Sequence, residues 1–257
     1  MNPKLRICRF IIVSWLTLYV NVVLTNLVSY RQYWYTQTYN NGTALEPLHD
    51  TFFIDWVRGY NIPTPSTIAL RDMVDVFTYS WVLMTIIAWF VFSRKPVIIA
   101  KGLMAQIILI PAFALAQLMT VVPDSTPNCL EVFNIPTSED MTWIYWTWPK
   151  RACGNMLWSS DITQLVVFTA LAVQMVPSRR TKSANLVWLV GEVWTFVTII
   201  FAFSSRYQYT MDVISTYVVV KLAMTNSTIE FLARWFFVRN GEYFDRVPMV
   251  EVSRMTI

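Results

Sequence analysis

The sequence predicts an all-α integral membrane protein, a six-transmembrane-helix bundle with both termini on the cytosolic (or matrix-equivalent) side. Three observations predict it. The 257 residues are 55% hydrophobic and only 14% charged, whereas a soluble domain carries about a quarter charged residues. Apolar runs close to the ~20 residues that cross a hydrocarbon core recur along the whole length. Lysines and arginines gather in the connections on one side, which sets orientation.

The spans follow in order. The first covers about 8–29 and the second about 74–92, ended by Ser93-Arg94-Lys95-Pro96. The third covers about 97–122, closes at Pro123 and contains Pro111, whose missing amide donor predicts a kink. The fourth runs over about 157–176 to a stop at Pro177, the fifth over 186–204 and the sixth over about 209–231. Residues 1–257 thus form a single membrane domain, with a short polar tail at about 232–257. The first apolar stretch is too long for a signal-peptide core and lacks a convincing cleavage site, so it reads as a retained span. With six glycines in the chain, close Gly-mediated helix packing is not expected as a general feature.

Lys4, Arg6 and Arg9, then Arg94, Lys95 and Lys101, then Arg179, Arg180 and Lys182, and finally Arg234, Arg239, Arg246 and Arg254 mark the inner side. The opposite side holds longer loops, at about 30–73 and 123–156, which are mixed or mildly acidic. Trp34, Tyr35, Trp143, Tyr145, Trp146 and Trp148 cluster where those loops meet lipid and read as interfacial anchors. The pI of about 9.0 therefore reports membrane orientation, and no nucleic-acid partner is expected.

Cys129 and Cys153 share one outer loop and can pair if that side is oxidising; free buried thiols are the alternative. The sequon at Asn41 lies in an outer loop and is a glycosylation candidate in a secretory compartment. Asn226-Ser227-Thr228 falls on the inner half of the last span and is not expected to be modified. The single histidine, His49, and scattered carboxylates offer no metal-ligand spacing, and no cofactor is expected.

Ionisable groups at membrane depth are costly, so each raises a functional question. Asp161-Ile162-Thr163-Gln164 has the spacing of a capping box, in which the carboxylate accepts free amides at a helix start and Gln164 reaches back. Gln208 and Asp212 are four apart and share a helical face, although Asp212 can equally pair with Arg206. Both positions sit at the outer ends of their spans. Glu192 in the fifth span is a candidate partner for Lys221 in the sixth.

These residues carry a resemblance. Cys153-Gly154-Asn155, Leu157 and Ser159-Ser160-Asp161 resemble the C-G-D-x-L-x-S-G-H stretch of sphingomyelin synthases, within the wider type-2 phosphatidic acid phosphatase group. Gln208-Tyr209-Thr210-Met211-Asp212-Val213, with Tyr217 beyond, is similar to that family's H-Y-T-x-D-V stretch. Pro47-Leu48-His49-Asp50 followed by Phe53 resembles its P-L-P-D segment, and Asn128-Cys129 its N-C. The likeness extends over about 45–225. It implies a phosphotransferase in which the second-motif histidine attacks lipid phosphorus, the aspartate four residues on orients it, and the first-motif histidine moves a proton.

Here those histidine positions are Gln208 and Asp161, and only the aspartate is kept, as Asp212. A carboxamide has no basic lone pair for attack at phosphorus and no proton that titrates near neutrality. Imidazole supplies both. Losing such a nucleophile removes catalysis on the order of a million-fold. No catalytic residue is therefore expected to be intact. The leading expectation is a catalytically degenerate relative that binds a membrane phospholipid or sphingolipid, packs against other integral membrane subunits, or does both. Asn155, Ser159, Asp161, Arg206, Gln208, Tyr209 and Asp212 are its candidate lipid-binding residues. The alternative is an active lipid phosphotransferase or phosphatase with altered catalytic residues, Asp161 serving as nucleophile or base. The resemblance implies a Golgi, ER or plasma membrane, with another organelle membrane as the alternative.

Overall fold

The computed structural model describes residues 3–39, 65–93, 96–119, 141–146, 158–177, 181–204 and 210–238. Among them every regular element is helical: α1 (Pro3–Tyr39), α2 (Pro65–Ala88) with a π-helical turn at Trp89–Ser93, α3 (Pro96–Met119), α4 (Trp143–Trp146), α5 (Ser160–Met175), α6 (Thr181–Ser204), α7 (Thr210–Thr225) and α8 (Ser227–Ala233), which closes in a second π-helical turn at Arg234–Val238. Four helical stretches are long and apolar enough to cross a membrane: Ile11–Tyr39, Ala69–Phe92, Val97–Met119 and Thr181–Ser204. The protein is membrane-embedded and all-α.

Helix α5 is the hub. It packs on α2, α3, α6 and α7, while α3 also packs on α1 and α8. Its side chains are buried on most faces, with Ile162, Leu165 and Val167 fully enclosed. Such all-round burial is expected of a helix at a bundle centre. At 16 residues it is about 24 Å long, shorter than the ~30 Å hydrocarbon core.

Polarity is distributed as in a bundle solvated by lipid. Large apolar residues such as Leu83, Phe92, Leu186, Phe196 and Leu222 point outward, whereas Thr78, Thr85, Thr163, Thr169, Thr195, Thr198 and Thr216 are buried between helices. Several of these hydroxyls donate to the carbonyl one turn back, as Thr163 does to Ser159 (2.7 Å) and Thr195 to Gly191 (2.8 Å). Small and hydroxylated residues let helix backbones approach closely without leaving a polar group in hydrocarbon.

Gly191 shows the close approach directly. A Cβ there would lie 2.4 Å from Thr169 Cγ2, and one at Gly102 would lie 2.7 Å from Leu171 Cδ1. Close Gly-mediated packing, not expected from six glycines, thus operates at both the α5–α6 and α3–α5 contacts.

Several boundaries differ from the sequence expectation. The first helix continues ten residues beyond 29, to Tyr39. Polar composition marks the membrane edge there, but nothing breaks the helix. Arg31 lies over the Trp34 ring at 5.1 Å, and the Trp34 and Tyr35 rings contact Tyr39 at 5.7 and 5.0 Å, supporting the extension at helical spacing. The third helix runs unbroken through Pro111, and Lys101, counted above with a loop, lies inside it. The sixth segment is interrupted. Asn226 adopts an extended conformation and its Oδ1 accepts from the Thr228 N–H at 2.8 Å, so the second sequon serves as the cap that starts α8. Helix α5 ends at Met175 with Val176 extended (ψ 131°), as the following Pro177 requires.

The connection between α3 and α5 contributes α4, which lies against α1. Ile144 is fully buried, and its carbonyl accepts from Asn26 Nδ2 at 2.8 Å. Tyr145 and Trp146 stay exposed beside it, the disposition of interfacial aromatics.

Candidate functional site

The site is built where α5 and α7 begin. Ser159 has extended backbone angles (φ −99°, ψ 111°), and its hydroxyl accepts from the Ile162 N–H at 3.2 Å. Ser159 therefore caps α5. Asp161 does not: it lies within the first helical turn, where its carboxylate complements the helix dipole. Gln164 does not reach back either, because its Oε1 accepts from Gln106 Nε2 of α3 at 2.8 Å. The D-x-x-Q spacing is real but sits two residues too late, after a serine whose short side chain already occupies the capping position.

The starts of α5 and α7 are joined through Thr216. The Ser159 N–H donates to Thr216 Oγ1 at 2.9 Å, and the Thr216 hydroxyl donates to the Asp212 carbonyl at 2.5 Å. Asp212 lies in the first turn of α7, as Asp161 lies in the first turn of α5. The two carboxylate-bearing residues are 6% and 4% exposed. Two adjacent helices thus bring buried acids to one end of the bundle.

Helix α2 completes that end. Trp194 Nε1 of α6 donates to the Phe77 carbonyl at 2.9 Å, and Gly191 packs on Thr169. Counting along the helices from these contacts, Asp161 stands at about the level of Asp72, two turns above Tyr79. Tyr79 lies within electrostatic reach of Asp161 and Asp75. Arg71, 1% exposed, is on the same turn of α2. On the α3 side, Trp158 stacks on Phe113 with the rings 10° from parallel. It walls off the start of α5.

Of the residues singled out in the sequence, the structure describes Ser159, Asp161 and Asp212 and brings them together. Asn155, Arg206, Gln208 and Tyr209 lie outside the described residues, as do Asn41, His49, Cys129 and Cys153. Thr216 was missed, although a hydroxyl four residues after Asp212 on the same face was a readable signal. Tyr217, which follows the second motif, turns to a different cluster. Its hydroxyl donates to Glu192 Oε2 and accepts from Lys221 Nζ. Lys221 also donates to Glu192 Oε1 at 2.9 Å, so the expected pair between the fifth and sixth segments is made.

A third polar group lies at the opposite end. Glu230 of α8 takes Lys101 of α3 on Oε2 at 3.5 Å, and Arg234 Nη2 and Nε on Oε1 at 2.6 and 3.1 Å. Among the described residues no group of three or more His, Cys, Asp or Glu side chains is arranged to hold a metal ion. Between α2 and α6 an apolar groove of about 380 Å³ is lined by Phe77, Leu189, Val190, Val193, Trp194 and Val197. Compared with protein-family models, curated proteins and solved structures, the chain matches none.

Proposed function

We propose that the protein binds the headgroup of a zwitterionic membrane lipid at the outer end of the bundle without turning it over. The observation that carries this reading is the Ser159–Thr216 hydrogen bond, which fastens together the two helix starts bearing Asp161 and Asp212. Buried carboxylates there favour the cationic part of a phosphocholine or phosphoethanolamine group. Arg206 and Gln208, from the segment just before α7, supply phosphate contacts in this reading. The apolar groove between α2 and α6 is wide enough for an acyl chain.

The resemblance to sphingomyelin synthases rests on the motif residues alone, and the degenerate-enzyme reading rests on what replaces the histidines. Gln208 offers no nucleophile for phosphorus, and Asp161 stands where the family has a proton-transferring histidine. In the same reading the chain crosses the membrane six times, α5 and the α7–α8 pair being the two shorter crossings. Both termini face the cytosol, with Lys101 and Arg234 at that end, and the membrane belongs to the secretory pathway.

The test uses the purified full-length protein. Native mass spectrometry over a panel of phospholipids and sphingolipids should show retained zwitterionic lipid. Asp161→Asn and Asp212→Asn should each weaken retention about tenfold. In parallel, phosphocholine transfer from phosphatidylcholine to ceramide should be absent. Robust transfer that Asp212→Asn abolishes, or a phosphoryl adduct trapped on Asp161, overturns the binding reading in favour of an enzyme with altered chemistry. A glycan on Asn41 would place the chain in the secretory route; an unmodified sequon would count against that assignment.

A further inference from the structure

The Glu192–Tyr217–Lys221 cluster lies in the wrong place to face lipid. Glu192 stands at the middle of α6, the helix Thr181–Ser204, and hence close to the bilayer midplane. The ion pair is nevertheless partly open at the surface, with the Lys221 side chain 39% and the Glu192 side chain 22% exposed. A charge at that depth is costly unless other groups enclose it. Around it the surface is apolar: Trp188, Leu189, Phe196 and Val218 are all 44% or more exposed.

Within the cluster each acceptor already receives a donor, although each carboxylate oxygen keeps a further lone pair. One Glu192 oxygen takes Tyr217, the other takes Lys221, and Lys221 also donates to the Tyr217 hydroxyl. The ammonium further lies 5.5 Å from the centre of the Trp188 ring. Its third N–H has no acceptor among the described residues. Whatever covers this surface must bring an acceptor at the same depth.

We propose that the occupant is a second copy of this chain, docked through the α6–α7 face about a twofold axis along the membrane normal. Such an axis returns every residue to its own depth. Lys221 of each copy therefore meets Glu192 of the other at one level, because the bond within each chain already holds the two groups level. The resulting ring of two acids and two bases is neutral. Each copy's pair is already neutral, so the self-pair brings the acceptor at the right depth without adding charge. A helix bringing a lone carboxylate would instead leave a net negative charge at the midplane. Trp188, Phe196 and Val218 supply apolar packing on either side. They do not line the apolar groove, and the headgroup site lies at the far end of α5.

The experiment uses the full chain in liposomes, labelled at its C-terminus and diluted in lipid, with photobleaching steps counted per particle. Two steps are expected at protein-to-lipid ratios where a monomer control gives one. Lys221→Met should weaken the dimer at least tenfold. Because that substitution can also disturb folding, a second variant leaves the charges intact. In a cysteine-free background, Val218→Cys should crosslink to itself, whereas Phe90→Cys, exposed in the π-helical turn after α2, should not. One-step bleaching overturns the proposal. So does a dimer in which Phe90→Cys crosslinks and Val218→Cys does not.

Discussion

The Ser159 N–H donates to Thr216 Oγ1 at 2.9 Å across the contact between α5 and α7, and the same hydroxyl donates to the Asp212 carbonyl. One threonine therefore sets the relative height of two helix starts. Thr216→Val keeps the shape, removes the acceptor and leaves the Ser159 amide buried without it. The expected loss is about 1–2 kcal/mol. Thr216→Ser should retain most of the stability. Unfolding in mixed detergent micelles measures both, and lipid retention should fall with Thr216→Val in step with the lost junction.

Capping and the site carboxylate separate by mutation. Ser159→Ala removes the oxygen that receives the Ile162 N–H and should cost about 1 kcal/mol. Asp161→Asn removes a first-turn charge, whose interaction with the helix dipole is worth about 0.3–1 kcal/mol. Stability should thus fall more with Ser159→Ala and lipid retention more with Asp161→Asn. The opposite order in the two measurements would return Asp161 to a purely structural role.

Gly191 makes a sharper prediction, because a Cβ there meets Thr169 Oγ1 at 2.6 Å as well as Cγ2 at 2.4 Å. Gly191→Ala should destabilise the protein by about 1–3 kcal/mol through overpacking. Thr169→Ala clears those two atoms. Its hydroxyl is buried with no hydrogen-bond partner among the described residues, so its loss alone should be mild. The pair Gly191→Ala with Thr169→Ala should recover much of the cost in a double-mutant cycle. Simple additivity would mean that α6 shifts away from α5 instead.

How far the fold was readable follows from what each signal encodes. Hydropathy located the four long apolar helices, and Pro177 fixed the end of α5, because composition and proline sterics are local. It misjudged the end of α1, since a helix does not stop where the lipid does and the Tyr30–Tyr39 segment carries its own aromatic pairs. It also missed the break at Asn226, a single residue whose side chain competes for backbone donors inside an apolar stretch. At the site, residue spacing identified Asp161 and Asp212 but assigned the cap to the wrong residue. Two adjacent serines and an aspartate offer three possible caps, and only backbone angles distinguish them. The Glu192–Lys221 pair was visible as two charges at depth. That they meet depends on both helices packing on α5, which no linear pattern records. Lys101 was counted with a loop for the same reason, its buried place in α3 being set by packing on α8.

Lys101 supports the last prediction. Its side chain is 4% exposed and its acceptor among the described residues is Glu230 Oε2, at 3.5 Å. Arg234 holds the other oxygen but is 28% exposed and sits one turn away on the same helix. The three groups are not equivalent. Glu230→Gln leaves a buried ammonium without its counter-charge, and breaking a buried pair in this way costs about 3–5 kcal/mol. Arg234→Met removes a half-exposed partner at (i, i+4) spacing and should cost about 0.5 kcal/mol. If Lys101 is the source of the large penalty, Lys101→Met combined with Glu230→Gln should be considerably more stable than Glu230→Gln alone. Chemical unfolding of the three variants in micelles decides it. A Glu230→Gln protein no weaker than Arg234→Met would show that α3 and α8 are held together by apolar packing, with Glu230 dispensable to their contact.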